Sequence, residues 1–435
     1  MQKTIENILG WCVRRAIFRD GPMVVAIAGS VGKTSTRNAI TISMGALFKS
    51  EEFRTSKKNF NNELGLPISV FDGEMPGRNV LKWFKLFGLA FAYAAGLKKL
   101  DMRYLVLEMA ADHPGDLDYL LRIAPPKIAI MTAMGAEHVE YFGSLEAAIE
   151  EERRVLRALP EDGEAILNTD DGMTWESRDL VRAEAIGFGR AAEAVVRIES
   201  TKVIYDENDF YKSGLEVNIK IMNYTNYIIR LHGVFGEPHA YAVAAALAFC
   251  ESMDHDIKPA VLKLSQDYTC MPGRTRLIKG IKKTILLDDS YNAQPQAMVS
   301  AIKDLQNFPV PIGGRRIAAL GEMLELGEMA EHEHEKIGKI IAGSGIDFLL
   351  CCGTLGRTIA HSAEVGGMPK ENIFHFDNSS EAGLFLQQEV ISVGDVVLVK
   401  GSQGSRMEKI VKELMAEPLR AEELLVRHTK DWISR

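Results

Sequence analysis

Short hydrophobic runs alternate with segments of helical periodicity over the first part of the chain. "MVVAIAG" reads as a buried strand ending in Gly29, and a helix follows from Thr34. "RYLVLEMA" and "KIAIMTAM" read as two more strands. "SLEAAIEEERRVLRALPEDG" has helical spacing and leads into the strand "EAILN". Strands separated by helices imply a parallel, doubly wound sheet. Between about 195 and 235 the pattern changes. "VVRIES", "LEVNIKIM" and "NYIIRLHGVFG" come close to alternating apolar and polar positions, so an antiparallel element is attached there. "HAYAVAAALAFCESM" returns to helix. Pro and Gly in "CMPGRTRL" break the pattern, and a second series follows with "TILLDDS", "RRIAALGEM", "FLLCCG" and "DVVLVKGS". The expected class is α/β. A central domain over 23–275 carries a mostly parallel sheet plus the antiparallel element, and a Rossmann-like α/β domain follows over 276–435.

Two apolar segments stand outside this alternation. Residues 1–22 form an amphipathic helix, with Ile5, Leu9, Cys12 and Ala16 on one face and Ile8 flanking it. Glu6, Arg14 and Arg15 interrupt it too early for a signal peptide. Residues 76–103 look like a helical insertion containing "LKWFKLFGLAFAYAAGL" at 81–97. Its uncharged run, Leu86 to Leu97, is twelve residues, well short of the ~20 that a spanning helix needs. Two readings remain. It packs against a domain, or it lies at a membrane surface with Lys82, Lys85, Lys98 and Lys99 near headgroups. In the second reading the N-terminal helix and 81–97 give a peripheral membrane contact.

Composition narrows the classes. With 435 residues, 46% apolar and 25% charged, two or three domains are expected in a soluble protein. A net charge of −8 argues against a nucleic-acid partner. Five cysteines, an odd number with no Cys-x-x-Cys pair, suit a reducing cytoplasm.

The chemistry concentrates first in "GSVGKTS". Gly29, Ser30, Val31, Gly32, Lys33, Thr34 and Ser35 follow a strand and open a helix. Glycines let the backbone approach phosphates, helix N–H groups point at them, Lys33 adds charge, and Thr34 can ligate Mg²⁺. The expected ligands are therefore a nucleotide and Mg²⁺, and ATP is what the resemblance below implies. The common longer motif has Gly six residues before the Lys, where this chain has Ile27.

This short loop, with "KNFNNELGLPISV", "VLEMAADHPGDL", "GAEHVEYFGSLE", "LLDDSYNAQPQAM", "GEMLELGEMAEHEHEKIG" and "VLVKGSQGSRMEKIV", resembles the Mur ligase family. The resemblance runs from about 23 to 415 and covers both domains. It is greatest to the branch that adds D-alanyl-D-alanine to a UDP-muramoyl-tripeptide acceptor. It implies an ATP-dependent ligase of peptidoglycan synthesis, which activates a carboxylate as an acyl phosphate and joins it to an amine. By resemblance Thr34 and Glu108 hold Mg²⁺, His138 holds a second cation, and Asn61 and Asn62 orient substrate or phosphate. His113 and His334 fall on matching histidines. Arg274 resembles a family arginine that contacts nucleotide phosphates. Asp289, Tyr291 and Asn292 follow a strand, where α/β sheets place ligands. Lys400 and Ser402 do the same. A monomer is expected.

Three departures qualify the resemblance. About 22 residues precede the first strand, so the family's N-terminal UDP-binding domain is not expected here. Glu152 stands where the family usually has a carbamylated lysine. It is either a metal ligand or one more charge on a solvated helix face. His239 stands where the adenine-side asparagine is usual, and would stack on or hydrogen-bond the base. The alternative functions are a Mur-type ligase of another pathway, pseudomurein-type or cofactor-building, and a non-catalytic nucleotide-binding subunit.

Overall fold

The structure is a computed structural model and describes residues 2–56, 61–77, 79–135, 139–222 and 225–428. The chain divides into two compact units. The first comprises Met1–Ser200, Asn218–Ile229 and Ala240–Tyr268, and the second Thr201–Val217, Arg230–His239 and Thr269–Arg435.

The first unit begins with α1 (Gln2–Asp20), β1 (Met23–Ala28), α2 (Lys33–Leu47), β2 (Phe53–Thr55), α3 (Gly65–Val70) and α4 (Val80–Ala94). It continues through β3 (Tyr104–Glu108), α5 (Asp116–Ile123), β4 (Ile128–Met131), α6 (Val139–Phe142), α7 (Leu145–Arg157), β5 (Glu164–Asn168), α8 (Gly172–Glu176) and β6 (Glu184–Gly189). The strands β7 (Val196–Ile204), β8 (Gly214–Ile221) and β9 (Thr225–His232) follow, then α9 (Pro238–Ser252) and α10 (Lys258–Asp267). The sheet order is β2-β3-β1-β4-β5-β6-β7-β8-β9. Pairing is parallel from β2 through β7. The crossovers from β1 through β6 run through helices, so both faces of the central strands are covered. Accordingly β1, β3 and β4 are nearly continuous apolar runs, with only Met23 of their apolar residues more than slightly exposed.

The first sheet's core takes in the two helices that stood apart in the sequence. Leu9, Cys12, Val13 and Ala16 of α1 and Leu86 and Ala90 of α4 pack into one cluster with Ala26, Leu105 and Leu107. The N-terminal helix is thus part of the first unit's core. Ile8, expected to flank its apolar face, is turned to solvent instead. Arginines of α1 donate to carbonyls at the end of α4. Arg15 Nε donates to Ala94 O at 3.0 Å and Arg19 Nη1 to Tyr93 O at 2.5 Å.

The second unit carries β10 (Arg276–Lys279), β11 (Ile285–Asp289), α11 (Pro295–Asn307), β12 (Arg316–Leu320), α12 (Ala330–Ala342), β13 (Phe348–Cys352) and α13 (Gly356–Val365). After them come β14 (Ile373–Phe376), α14 (Ser379–Phe385), β15 (Val396–Lys400), α15 (Glu408–Leu414) and α16 (Ala421–Leu424). The order is β10-β11-β15-β12-β13-β14, with β10 antiparallel to β11 and the rest parallel. Two apolar clusters sandwich this sheet, one around Leu287, Leu320 and Leu349, the other around Leu286, Ala319 and Leu350. Alternate residues of one strand therefore face opposite helical layers.

Asp395, fully buried before β15, closes the sheet's lower rim. It accepts from Arg315 N at 2.9 Å, from Arg315 Nη2 at 2.7 Å and from Ser392 N at 2.8 Å. Removing that carboxylate strands two amides and leaves the Arg315 guanidinium with its bond to Val390 O. Asp395→Ala is expected to destabilise the second unit by about 3 kcal/mol. The check is the urea midpoint of its unfolding transition, which should fall.

Candidate functional site

In the first unit the site is built at the ends of β1, β3 and β4. The parallel register pairs Ile27 with Glu108 and Ala28 with Met131. That register puts the end of β3 on one side of the loop after β1, and the end of β4 on the other. The loop needs backbone that only glycine adopts without strain. Gly29 has φ +117° and Gly32 has φ +95°. A Cβ on Gly29 would lie 2.4 Å from Thr132 Oγ1 and 2.8 Å from Ala133 O. Ser30 fastens the loop, its N–H donating to Ala133 O at 2.7 Å. Its hydroxyl also accepts from Gly135 N at 2.9 Å.

Lys33 opens α2, and its ammonium folds back to donate to the carbonyls of Gly29 and, at 3.4 Å, Ser30. Thr34, one residue on, is buried. Its hydroxyl donates to Glu108 Oε2 at 3.1 Å. Glu108 Oε1 is 3.1 Å from Arg37 Nη1, yet this buried oxygen receives no well-angled hydrogen bond. One hydroxyl and one under-satisfied carboxylate are hard oxygen donors, the set Mg²⁺ takes when it also binds phosphate oxygens. The residues present fit that ion. Sequence reasoning missed Arg37. It lies three residues after Thr34 on one helix face, and that spacing was the available signal.

Other expected residues have structural partners. Asn62 Oδ1 accepts from Gly65 N at 2.9 Å, capping the turn into α3, and Asn61 O accepts from Ala110 N. Glu152 is buried on α7, and its Oε2 accepts from Gly29 N at 2.9 Å. It is therefore not a charge on a solvated face. In this structure it braces the phosphate loop, and among the described residues no three Asp, Glu, His or Cys side chains gather as a metal cluster. His113 is exposed, with its ring 4.9 Å from that of Tyr141. His138 lies outside the described residues.

The second unit holds a separate constellation. Asp289 and Lys400 end adjacent parallel strands in direct register. Lys400, almost fully buried, donates to Asp289 Oδ2 at 2.5 Å and to Asn292 O at 3.0 Å. Asp289 Oδ1 accepts from Thr275 N at 3.1 Å. Ser402 Oγ donates to Ala293 O at 3.2 Å and accepts from Leu324 N at 2.9 Å. Arg274 lies over the Tyr291 ring, 4.1 Å from its centroid. Arg427, missed in the sequence, donates to Tyr291 O at 2.6 Å and pairs with buried Glu408 at 3.0 Å.

Two histidines are held by hydrogen bonds within the second unit. His334 Nε2 accepts from Met323 N at 2.9 Å, and Nδ1 lies 2.6 Å from Ala330 O. This fixes the proton on Nδ1. His239, expected at the base, is fully buried with Nε2 2.6 Å from Thr275 Oγ1. Burial pushes it down to about 4. In this structure the enclosed ring meets Thr275, and no face of it lies open to solvent.

Asp304 on α11 was also missed. Its buried Oδ2 has no hydrogen-bond partner, and a Cβ on Gly236 would sit 2.6 Å from it. Burial first, then the charges of Asp289 and Glu237, push the carboxyl up to about 8.

Residues 90–250 match the Mur ligase middle domain family, and residues 273–403 match the Mur ligase, glutamate ligase domain family. The UDP-N-acetylmuramoyl-tripeptide–D-alanyl-D-alanine ligase of Bacillus subtilis is 28% identical over 404 residues, covering 92% of this chain and 77% of that one. The Escherichia coli enzyme of the same name is 28% identical, covering 90% and 76%. The crystal structure of MurF ligase from Thermotoga maritima in complex with ADP superposes with a TM-score of 0.73 at 22% identity. It covers 94% of this chain and 83% of that one.

Gly29→Ala is expected to force the loop off β4 and abolish nucleotide binding, measured by titration calorimetry with Mg-ATP. Asp304 has a folded pKa above its unfolded value, so its contribution is full below the ordinary carboxylate range and is lost as pH rises towards 8. Asp304→Asn should therefore raise the melting temperature more at pH 8.5 than at pH 5.5. An equal shift at both would show that the carboxyl ionises normally.

Proposed function

The chain belongs to the Mur ligase family, and on that premise we propose that it is an ATP-dependent amide ligase of peptidoglycan precursor synthesis. It joins D-alanyl-D-alanine to the terminal carboxylate of a UDP-N-acetylmuramoyl-tripeptide-like acceptor. The observation that carries this reading is the Thr34 hydroxyl 3.1 Å from the Glu108 carboxylate, at the mouth of a glycine cradle. The substrates come from the names of relatives that match over nine-tenths of the chain.

The reaction has two transfers. An acceptor carboxylate oxygen attacks the γ-phosphorus, the bond to the β-bridging oxygen breaks, and ADP leaves. The amine of the dipeptide then attacks the acyl carbon, loses a proton, and expels phosphate. Both steps crowd negative charge. The loop amides and the Lys33 ammonium stabilise it electrostatically. Thr34 and Glu108 would hold Mg²⁺, which would supply neutralisation of the phosphate charge. Arg37 Nη1, 3.1 Å from Glu108 Oε1, holds that carboxylate in place.

Finer points belong to the same proposal. The protein acts in the cytoplasm, a reading supported by five cysteines that all stand as thiols, and its expected state is a monomer. It also touches membranes peripherally through α1 and residues 81–97. Among the described residues no helix is long and apolar enough to cross a membrane.

Purified protein given Mg-ATP should release phosphate only when both UDP-muramoyl-tripeptide and D-alanyl-D-alanine are present. Lys33→Ala should lower that release by roughly 10²–10³-fold. Turnover with a different acid and amine would instead favour a Mur-type ligase of another pathway.

A further inference from the structure

We propose that the outward faces of α1 and α4 form one interfacial docking surface for a bilayer rich in anionic phospholipid. This rests on, and gives a lipid class to, the peripheral contact named above. Each helix buries one side in the first unit's core and leaves the other apolar as well. On α4, Leu81, Phe84 and Phe91 are 79%, 72% and 49% exposed. With Gly88 between them they follow helical spacing, one stripe along the outer side. On α1, Trp11 and Phe18 are seven residues apart and 53% and 86% exposed. Leu97, in the turn after α4, is 82% exposed.

The stripes belong to one piece of structure. Arg15 and Arg19 of α1 donate to the last carbonyls of α4, and Arg19 Nη2 reaches Lys98 O at 3.1 Å. Leu86 and Ala90 beneath them are in the core. The surface is therefore preformed, and binding does not have to order it.

Charge selects the occupant. Residues 2–20 and 80–99 carry eight basic and two acidic side chains, in a chain whose net charge is −8. Arg19 is paired with Asp20 and Arg15 is bound to Ala94 O, which leaves six basic side chains against Glu6. Lys82 lies 3.5 Å from Glu74, a loose exposed pair. Lysines interleaved with exposed aromatic and aliphatic residues fit headgroups above acyl chains. A protein interface of this size would be depleted in lysine. The mode is interfacial. At ~1.5 Å per residue the fifteen residues of α4 reach about 22 Å, short of a ~30 Å hydrocarbon core.

The test uses the full chain with extruded vesicles of phosphatidylcholine alone or mixed with phosphatidylglycerol, read by co-sedimentation. Wild type should pellet with the anionic vesicles and stay in solution with the neutral ones. Phe18→Asp with Phe84→Asp should weaken anionic binding about tenfold or more, and Lys85→Glu with Lys98→Glu should do likewise. These side chains are exposed, so the melting temperature should hold. Equal pelleting with both vesicle types, or none with either, overturns the proposal. So does a concentration-dependent dimer of wild type, by light scattering, that Phe84→Asp abolishes without any vesicle binding. The ligase reading is scored separately. Phe84→Asp should keep full phosphate release in solution, whereas Lys33→Ala should lose release and still bind vesicles.

Discussion

The first unit's site depends on strand register more than on any single side chain. Ile27 opposite Glu108 and Ala28 opposite Met131 fix where β3 and β4 end relative to the glycine loop. From that follow the contact of Gly29 with Thr132 and Ala133, the hydrogen bond from Ser30 to Ala133, and the approach of Glu108 to Thr34. Every strand of that group is buried on both faces. A slip of one residue would turn core side chains outward and lift Glu108 away from α2. The apolar content of β1, β3 and β4 therefore specifies the catalytic geometry as well as stability.

The second unit uses the same device. Asp289 and Lys400 are brought together because β11 and β15 are parallel neighbours in register. In both units a carboxylate at a strand end is held beside a buried cation, Arg37 for Glu108 and Lys400 for Asp289. A buried charge left alone is strongly destabilising, so each pair holds its members in place. Glu408 and Arg427 extend the pattern to the Tyr291 backbone. Asp304 departs from it. Its orphaned oxygen and raised pKa go together, because a carboxyl without a partner in a dry site keeps its proton.

Helices α1 and α4 show how one segment can satisfy two solvents. Cys12 and Ala16 face the core while Trp11 and Phe18 face outward, and in α4 Leu86 and Ala90 are matched by Phe84 and Phe91. A helix apolar on both sides must cover the second side or place it in something other than water. Arg15 and Arg19 fasten the two helices end to side, so their outer faces move as one.

The sequence by itself determined the α/β alternation, the change near 195–235, the phosphate loop with Lys33 and Thr34, and the family. Those features depend on neighbours within a few residues, where periodicity and turn chemistry act. Tertiary structure alone decided where Glu152, His239 and Asp304 sit and what they meet. Glu152 meets Gly29 across 123 residues and His239 meets Thr275 across 36. Which residue waits at the far end of such a separation is set by sheet register and helix packing. Local pattern carries no record of that distance, so a carboxylate on a helix read equally as solvated charge or ligand until the fold placed it under the loop.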